Sequence, residues 1–454
     1  MFHKSRWALG LALSAAMTAP LHAKVSAEEA GRLQKDLTPL GAERAANADG
    51  SIPAWEGGLI KERPAAGQER LPASYPSVSN DKPLFTITKD NLAEYRDYLT
   101  PGQITLIEKF ADSYKMPVYP TRRTGNAPDF VYEATAKNAV TATLENDGES
   151  LVDAAIGIPF PIPKSGKEVI WNHKVRFRGE GLRRYNIQLA VQTNGAFQPY
   201  KIREDVRFHY NFRSATAANL NNVIIYFLQF TTAPARQTGN VTLVHETMDQ
   251  VKEARRAWLY NPGQRRIRRA PSVAYDNPGT GADGLRTNDQ LDSFNGASDR
   301  YTWNIVGKRE MFMPYNAYKL LDSTLEYDDI AQRGHLNQDL TRYERRRVWV
   351  LDSQLKEGTA HQYKRRTFYI DEDTWSILAV DIYDGRDQLW RVQEYHPIML
   401  PWLKAVGPAG ATVYDLQANR YLVMELSNEE PMIEEVDWDI DHFSTGSVQR
   451  MAIK

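Results

Sequence analysis

The sequence predicts a mainly β protein with helices, of the α+β class: one large antiparallel sheet that follows an N-terminal helical section. Three observations predict it. Over residues 183–426 apolar side chains recur with a period of two, most cleanly at Ile187, Leu189 and Val191 between Gln188, Ala190 and Gln192. The runs are separated by turn chemistry such as Asn194-Gly195, Asn261-Pro262-Gly263, Glu357-Gly358 and Asp384-Gly385, and Asn-Gly in particular suits the positive dihedrals of a hairpin. The helix start signals, in contrast, all fall before residue 178. At 454 residues, 42% hydrophobic and 25% charged, the chain has an ordinary globular composition and can bury a sizeable core.

Taken in order, Lys4 and Arg6 precede an apolar run over residues 7–21 that ends in small residues, the pattern of a secretory signal peptide. The run contains Ser14, Thr18 and Pro20 and falls short of the roughly 20 apolar residues of a membrane span. Cleavage is expected after Ala23, with Ala27 as the alternative, and no Cys is present to carry a lipid. Residues 24–454 are then expected to form a single periplasmic domain: 24–182 helical and irregular, 183–426 the sheet, 427–454 an acidic C-terminal segment.

Ser26 and Glu29 form a capping box, each able to satisfy the other's free backbone N–H. Thr100 caps a second helix with Pro101 at its first position, and Ile104, Ile107, Phe110, Ala111 and Tyr114 recur on one face. Residues 91–99 are its expected partner. A third helix is expected over 166–177, after the proline run Ile158-Pro159-Phe160-Pro161-Ile162-Pro163, which can continue neither a helix nor a central strand. Beyond the first strand, further strands are expected at about 198–212, 222–233, 239–249, 254–260, 265–270, 301–313, 343–355, 360–370, 375–383, 388–396, 411–416 and 420–426.

Strand composition carries the functional hint. In Ile224-Ile225-Tyr226-Phe227-Leu228-Gln229-Phe230 and in Val348-Trp349-Val350-Leu351 both alternating faces are largely apolar, so both faces of the sheet need cover. Helices, curling of the sheet on itself, or a bound apolar ligand could each supply it, and an incompletely closed barrel is wide enough inside for one small ligand. The candidate lining of such a ligand site is Trp171, Phe177, Ile224, Tyr226, Leu228, Phe230, Trp258, Val348 and Val350.

Several function classes are excluded or disfavoured. With 56 Lys+Arg against 57 Asp+Glu there is no basic excess to neutralise a phosphate backbone, so nucleic acid is not expected as a partner. The absence of Cys removes thiolate zinc sites, iron–sulfur clusters and cysteine nucleophiles. Gly279-Thr280-Gly281-Ala282-Asp283-Gly284 matches the dinucleotide fingerprint, and Tyr315 and Lys319 mimic a dehydrogenase pair. Yet Asp276-Asn277-Pro278 before the glycines and Arg286-Thr287-Asn288-Asp289 after them supply neither the strand nor the helix that the fingerprint requires. The segment is read as a loop, with calcium binding by Asp276, Asp283 and Asp289 as the alternative.

His245-Glu246 begins a zinc-protease motif, but Asp249 stands where the second His should be and the segment reads as a strand. The expectation is therefore a non-enzyme with no catalytic residue, no metal site and no cofactor. Basic blocks at Arg265, Arg266, Arg268 and Arg269, at Arg345–Arg347 and at Lys364–Arg366 should form cross-strand ion pairs, screened by the acidic stretch 425–441, or else a docking surface for anionic groups. Strands rich in Arg and Lys on both alternations argue against an integral outer-membrane barrel.

Long blocks resemble one family: residues 37–59 (LTPLGAERAANADGSIPAWEGGL), 158–179 (IPFPIPKSGKEVIWNHKVRFRG), 275–290 (YDNPGTGADGLRTNDQ), 294–320, 342–351 (RYERRRVWVL) and 369–375 (YIDEDTW). They are similar to the outer-membrane lipoprotein-sorting protein-like periplasmic proteins of unknown function. The resemblance implies a strongly curved, half-open antiparallel sheet, an incomplete barrel, with helices covering or plugging its concave face. It also implies a carrier or accessory for a lipid or other hydrophobic molecule, working with a resistance-nodulation-division type exporter and an outer-membrane protein; an adaptor that bridges the two without cargo is the alternative. The family pattern implies an apolar residue and a His where this chain has Arg345 and Arg346.

Overall fold

The computed structural model describes residues 24–58, 76–270 and 275–453; the expected export signal, residues 1–23, lies outside them. Strands β1 (Phe85–Ile87) and β2 (Met116–Tyr119) come from the N-terminal section, and β3 (Thr143–Glu145) and β4 (Ser150–Val152) pair with each other. The long strands follow: β5 (Gly181–Val191), β6 (Pro199–Arg207), β7 (Val223–Ala233), β8 (Val241–Thr247), β9 (Arg256–Asn261), β10 (Arg266–Arg269), β11 (Tyr301–Pro314), β12 (Tyr343–Leu355), β13 (Arg365–Asp371), β14 (Ile377–Tyr383), β15 (Leu389–Leu400), β16 (Ala405–Asp415) and β17 (Arg420–Leu426). A short β18 (Glu434–Glu435) adds to β5.

Two antiparallel meanders make the sheet, β5 to β10 and β11 to β17, joined where β17 pairs with β5. The one parallel ladder among the described residues is the contact of β2 with the start of β12, Val118 beside Tyr343 and Tyr119 beside Glu344. β10 and β11 end the two meanders without pairing to each other, so the sheet does not close. Each strand expected over 183–426 is present, although the rows differ: β10 has no buried residue, β14 is buried on both faces, and the strand expected over 198–212 ends at Arg207, where a 3-10 turn, His209–Asn211, follows. β16 starts at Ala405, earlier than its expected 411, because Gly407 and Gly410 hide the alternation.

The curvature follows from a length argument. Along the strand order β7 lies nine steps from β11, about 43 Å in a flat sheet at ~4.8 Å per step. The ten-residue helix Gly166–Val175, only about 15 Å long, touches both: Gly166 lies against Trp303 of β11, and Trp171 packs in one cluster with Ile224 of β7. The sheet must therefore curl around this helix, which plugs the concave side. Ser165 caps the helix by accepting from the Glu168 N–H, and Gly166 is required because a Cβ there would stand 2.3 Å from the Trp303 carbonyl oxygen.

The helix Pro101–Lys109, capped by Thr100 as expected and with Gln103 returning a bond to the Thr100 N–H, lies on the opposite face. There the Gly102 N–H donates to Asp381 (3.0 Å) and Gln103 Nε2 donates to Glu394 (3.1 Å). Its expected partner over 91–99 is helical throughout residues 89–98: one α-helical turn, Leu92–Tyr95, between the 3-10 turns Lys89–Asn91 and Arg96–Tyr98. Two further helices had no sequence signal strong enough to predict them, Asp129–Thr141 and Thr445–Ile453. The second packs Val448, with Phe443 before it, onto the outer face of β7 and β8.

The basic blocks resolve differently from one another. Arg346 pairs with Asp371 (3.0 Å) and Asp373 (2.7 Å), Arg347 with Glu372 (3.2 Å), Arg345 with Asp49 and Glu310 (both 2.7 Å) and Arg366 with Asp289 (3.0 Å). The acidic segment is not what screens them: its Glu425 pairs with Arg184 (2.9 Å) and β18 runs beside β5.

Candidate functional site

Three cross-strand rows on the concave face of β5 to β8 define a cavity. Leu182, Val206, Phe227 and Val244 are register partners in sequence across the four strands and form an apolar row. Two residues along, Arg184, Glu204, Gln229 and Thr242 form a polar row by the same pairing. On the other side Ile225 stands opposite Glu246. Since side chains on one face recur every second residue, the sequence of these strands places a greasy floor directly beside hydrogen-bonding groups.

The roof is the loop containing the Gly279-to-Gly284 motif. Its glycines serve close packing: a Cβ on Gly281 (φ +69°) would stand 2.5 Å from the Tyr200 ring, and one on Gly279 would stand 2.3 Å from Arg286 Nη1. Gly279 thus lets the backbone lie flat on the Arg286 guanidinium. Further along, Asp289 accepts from Arg366 (3.0 Å) and His361 (3.1 Å), and Asp292 accepts from Arg176 and Arg178 (both 2.5 Å). Burial alone would raise both carboxyls, but these arginines hold them well below the usual range. Asp289 is therefore occupied by Arg366 and His361, against the alternative of calcium binding.

Residues from β15 to β17 complete the wall: Tyr395, Leu400, Val406, Gly407, Pro408 and Glu425. Glu425 has φ +65° at the bulge where β17 loses register with β5. Non-glycine residues in that region are strained, and bulges re-aim side chains. Here the bulge turns Glu425 into the cavity, where it pairs with Arg184. Burial, with Glu204 and Asp292 nearby, pushes its carboxyl up, against the pull of Arg184.

The cavity volume is about 120 Å³. Its wall carries four arginines (Arg178, Arg184, Arg255, Arg286) against three carboxylates (Glu246, Asp292, Glu425). Arg178 pairs with Asp292, Arg184 with Glu425 and with Glu204 behind it, and Arg255 with Glu246 (2.7 Å). Arg286 has no ion pair among the described residues. It is 4% exposed, its Nε has no acceptor, and its Nη atoms reach only backbone carbonyls, Thr287 at 3.3 Å and Thr280 at 3.5 Å. Burial pulls its pKa down, with Glu425 and Glu204 acting in the other direction.

None of the nine residues expected to line a ligand site lines this cavity. On β7 the inward residues are Ile225, Phe227 and Gln229; Tyr226, Leu228 and Phe230, with Trp258 of β9, form the outer row under Phe443 and Val448. Ile224 sits at a β-bulge and packs with Trp171, whose indole N–H donates to the Gly148 carbonyl (2.8 Å). Phe177 stands edge-on to Phe130, and Val348 and Val350 pack with Tyr369 in a separate part of the core. The physical reason is that the more apolar row of β7 needed cover, and the C-terminal helix supplies it. Arg178, Arg184, Arg286, Asp292 and Glu425 were not anticipated; the one sequence signal was the run of glycines, Gly279, Gly281 and Gly284, that precedes Arg286 in its loop.

Among solved structures, a DUF1329 family protein from Desulfovibrio piger is similar over 60% of this chain and 92% of its own, at 14% identity and a TM-score of 0.41. A putative outer-membrane lipoprotein-sorting protein domain from Vibrio parahaemolyticus is similar over 62% and 97%, at 14% identity and a TM-score of 0.42. In sequence, an uncharacterized protein of Pseudomonas aeruginosa is 49% identical over 92% of both chains. The model of a family described as a protein of unknown function, DUF1329, matches residues 86–449, well over half of the sequence, and the chain belongs to that family.

Proposed function

We propose that the protein is a non-catalytic periplasmic binding or carrier protein for a lipid or other hydrophobic molecule. The observation that carries this reading is the cavity between the row Leu182, Val206, Phe227, Val244 and the 275–298 loop. Each methylene moved from water onto such a floor contributes about 0.8 kcal/mol. At about 120 Å³ the space is near the ~150 Å³ of cavities that take benzene and below the ~300–1,000 Å³ of drug-sized sites. It accommodates one end of a chain, and a longer cargo requires the loop to lift.

The export signal supports a periplasmic location, and no helix among the described residues is long and apolar enough to cross a membrane. An inner-membrane exporter and an outer-membrane protein are the partners this reading implies at either end of a transfer. Native mass spectrometry of protein purified from the periplasm tests it. A co-purified mass that is exchanged for an added fluorescent fatty acid is the expected result; a clean apo mass with no uptake of the probe contradicts it.

A further inference from the structure

An isolated buried guanidinium is costly, and buried charges in folded proteins are paired or hydrogen-bonded. Arg286 meets that rule only in part: its Nη atoms donate to two backbone carbonyls at 3.3 and 3.5 Å, its Nε has no acceptor, and it stands at the cavity wall against Gly279. The carboxylates nearest in charge, Glu425 and Glu204, are both engaged by Arg184, at 2.9 and 2.7 Å. The remaining cation on the wall, Arg286, therefore has no carboxylate partner among the described residues. The Thr280 carbonyl accepts from it, and the same wall carries the polar Gln229 and Thr242 and the apolar side chains Leu182, Val206, Phe208, Leu400 and Val406. A charged corner and a greasy floor in one cavity match a molecule with the same division.

We propose that the cavity takes an amphiphile with a single anionic head, a carboxylate or a phosphate, seated on Arg286, with its hydrocarbon chain on Leu182, Val206 and Phe227. This rests on the binding reading above and adds the class of ligand. Arg suits either head because its planar donors meet carboxylate and phosphate oxygens in pairs. The exposed arginines of β10 are not part of this site: they lie on an edge strand and do not line this cavity.

The test uses three probes of equal chain length, dodecanoate, dodecyl phosphate and dodecan-1-ol, titrated calorimetrically into the delipidated full mature chain and into Arg286→Met and Arg286→Gln. Wild type should bind at least one anion about 10- to 100-fold more tightly than the alcohol, the range of a charge-assisted hydrogen bond. Whichever anion is tighter identifies the head. Both variants should bring that ratio to about one while still binding dodecan-1-ol. Equal binding of all three by wild type, or an unchanged ratio in the variants, overturns this inference and leaves the carrier reading standing. No binding of any probe by wild type overturns the carrier reading itself. Because the wild-type ratio is decisive alone, a variant that fails to fold does not protect the proposal.

Discussion

Two buried arginine centres face each other in function across the same sheet. Around Arg346, Asp371 and Asp373 accept at 3.0 and 2.7 Å, Arg123 adds a second guanidinium to Asp373 at 2.6 Å, and the Tyr315 ring lies 3.8 Å below the charge. Thr374 and Tyr315 hydroxyls donate to the remaining oxygen of Asp371, at 2.8 and 3.3 Å. Every charge there is answered from within the chain. At Arg286 the charge is as deeply buried, the acceptors are two distant carbonyls, and empty volume lies in front. A closed network ties strands and loops together, whereas an open one keeps binding capacity in reserve at the expense of stability.

The sharpest way to break this comparison is to remove each guanidinium in turn. Arg346→Met leaves Asp371 and Asp373 short of a partner and should destabilise the chain by about 3–5 kcal/mol. Arg286→Met removes an unanswered buried charge and should leave the apo protein unchanged or more stable by about 1 kcal/mol. Urea unfolding of the two variants reads both signs. Equal losses would mean that Arg286 is as much a structural member as Arg346.

A smaller effect sharpens the same contrast on the convex face. Burial pushes Asp381 up to about 7 although it accepts from Tyr369 Oη (3.0 Å) and the Gly102 N–H (3.0 Å); among the described residues it has no ion pair. An acid raised in the fold is held protonated there while the unfolded chain has already lost the proton. Its contribution is therefore full below about pH 4 and is lost as pH rises to about 7. Asp381→Asn keeps the acceptor for Gly102 and has no charge to lose. The stability of the variant relative to wild type should grow between pH 4.5 and 8, by something of the order of 3 kcal/mol, and level off above. Urea midpoints at the two pH values check it; a constant difference would mean that Asp381 is already ionised in the fold at low pH.

How much of this was legible in the sequence differs from element to element. The long strands and the helix at Pro101 were, because period-two alternation and a Thr100 cap are local signals. The helix Asp129–Thr141 was not: its cap is Pro128, with no side-chain acceptor, and half of its buried positions are polar, Thr135 and Asn138. The cavity was half legible. Strand β7 was picked out by composition, but both of its rows are apolar, so only register and the position of the C-terminal helix decide which row faces inward. For Arg286 the glycines before it were the only signal, and its burial could not be read, since burial of a loop arginine depends on β-strands and loops far apart in the chain.

That difference between the two rows of β7 also supplies the most direct measurement. A photoreactive dodecanoate carrying a diazirine at its tail, irradiated in complex with the protein and mapped by peptide mass spectrometry, should label the inner row and its neighbours, Val206, Phe227, Leu400 or Val406. Labelling confined to Tyr226, Leu228, Phe230 or Trp258, or none above the level of irradiated probe with unfolded chain, would contradict a ligand site on the concave face.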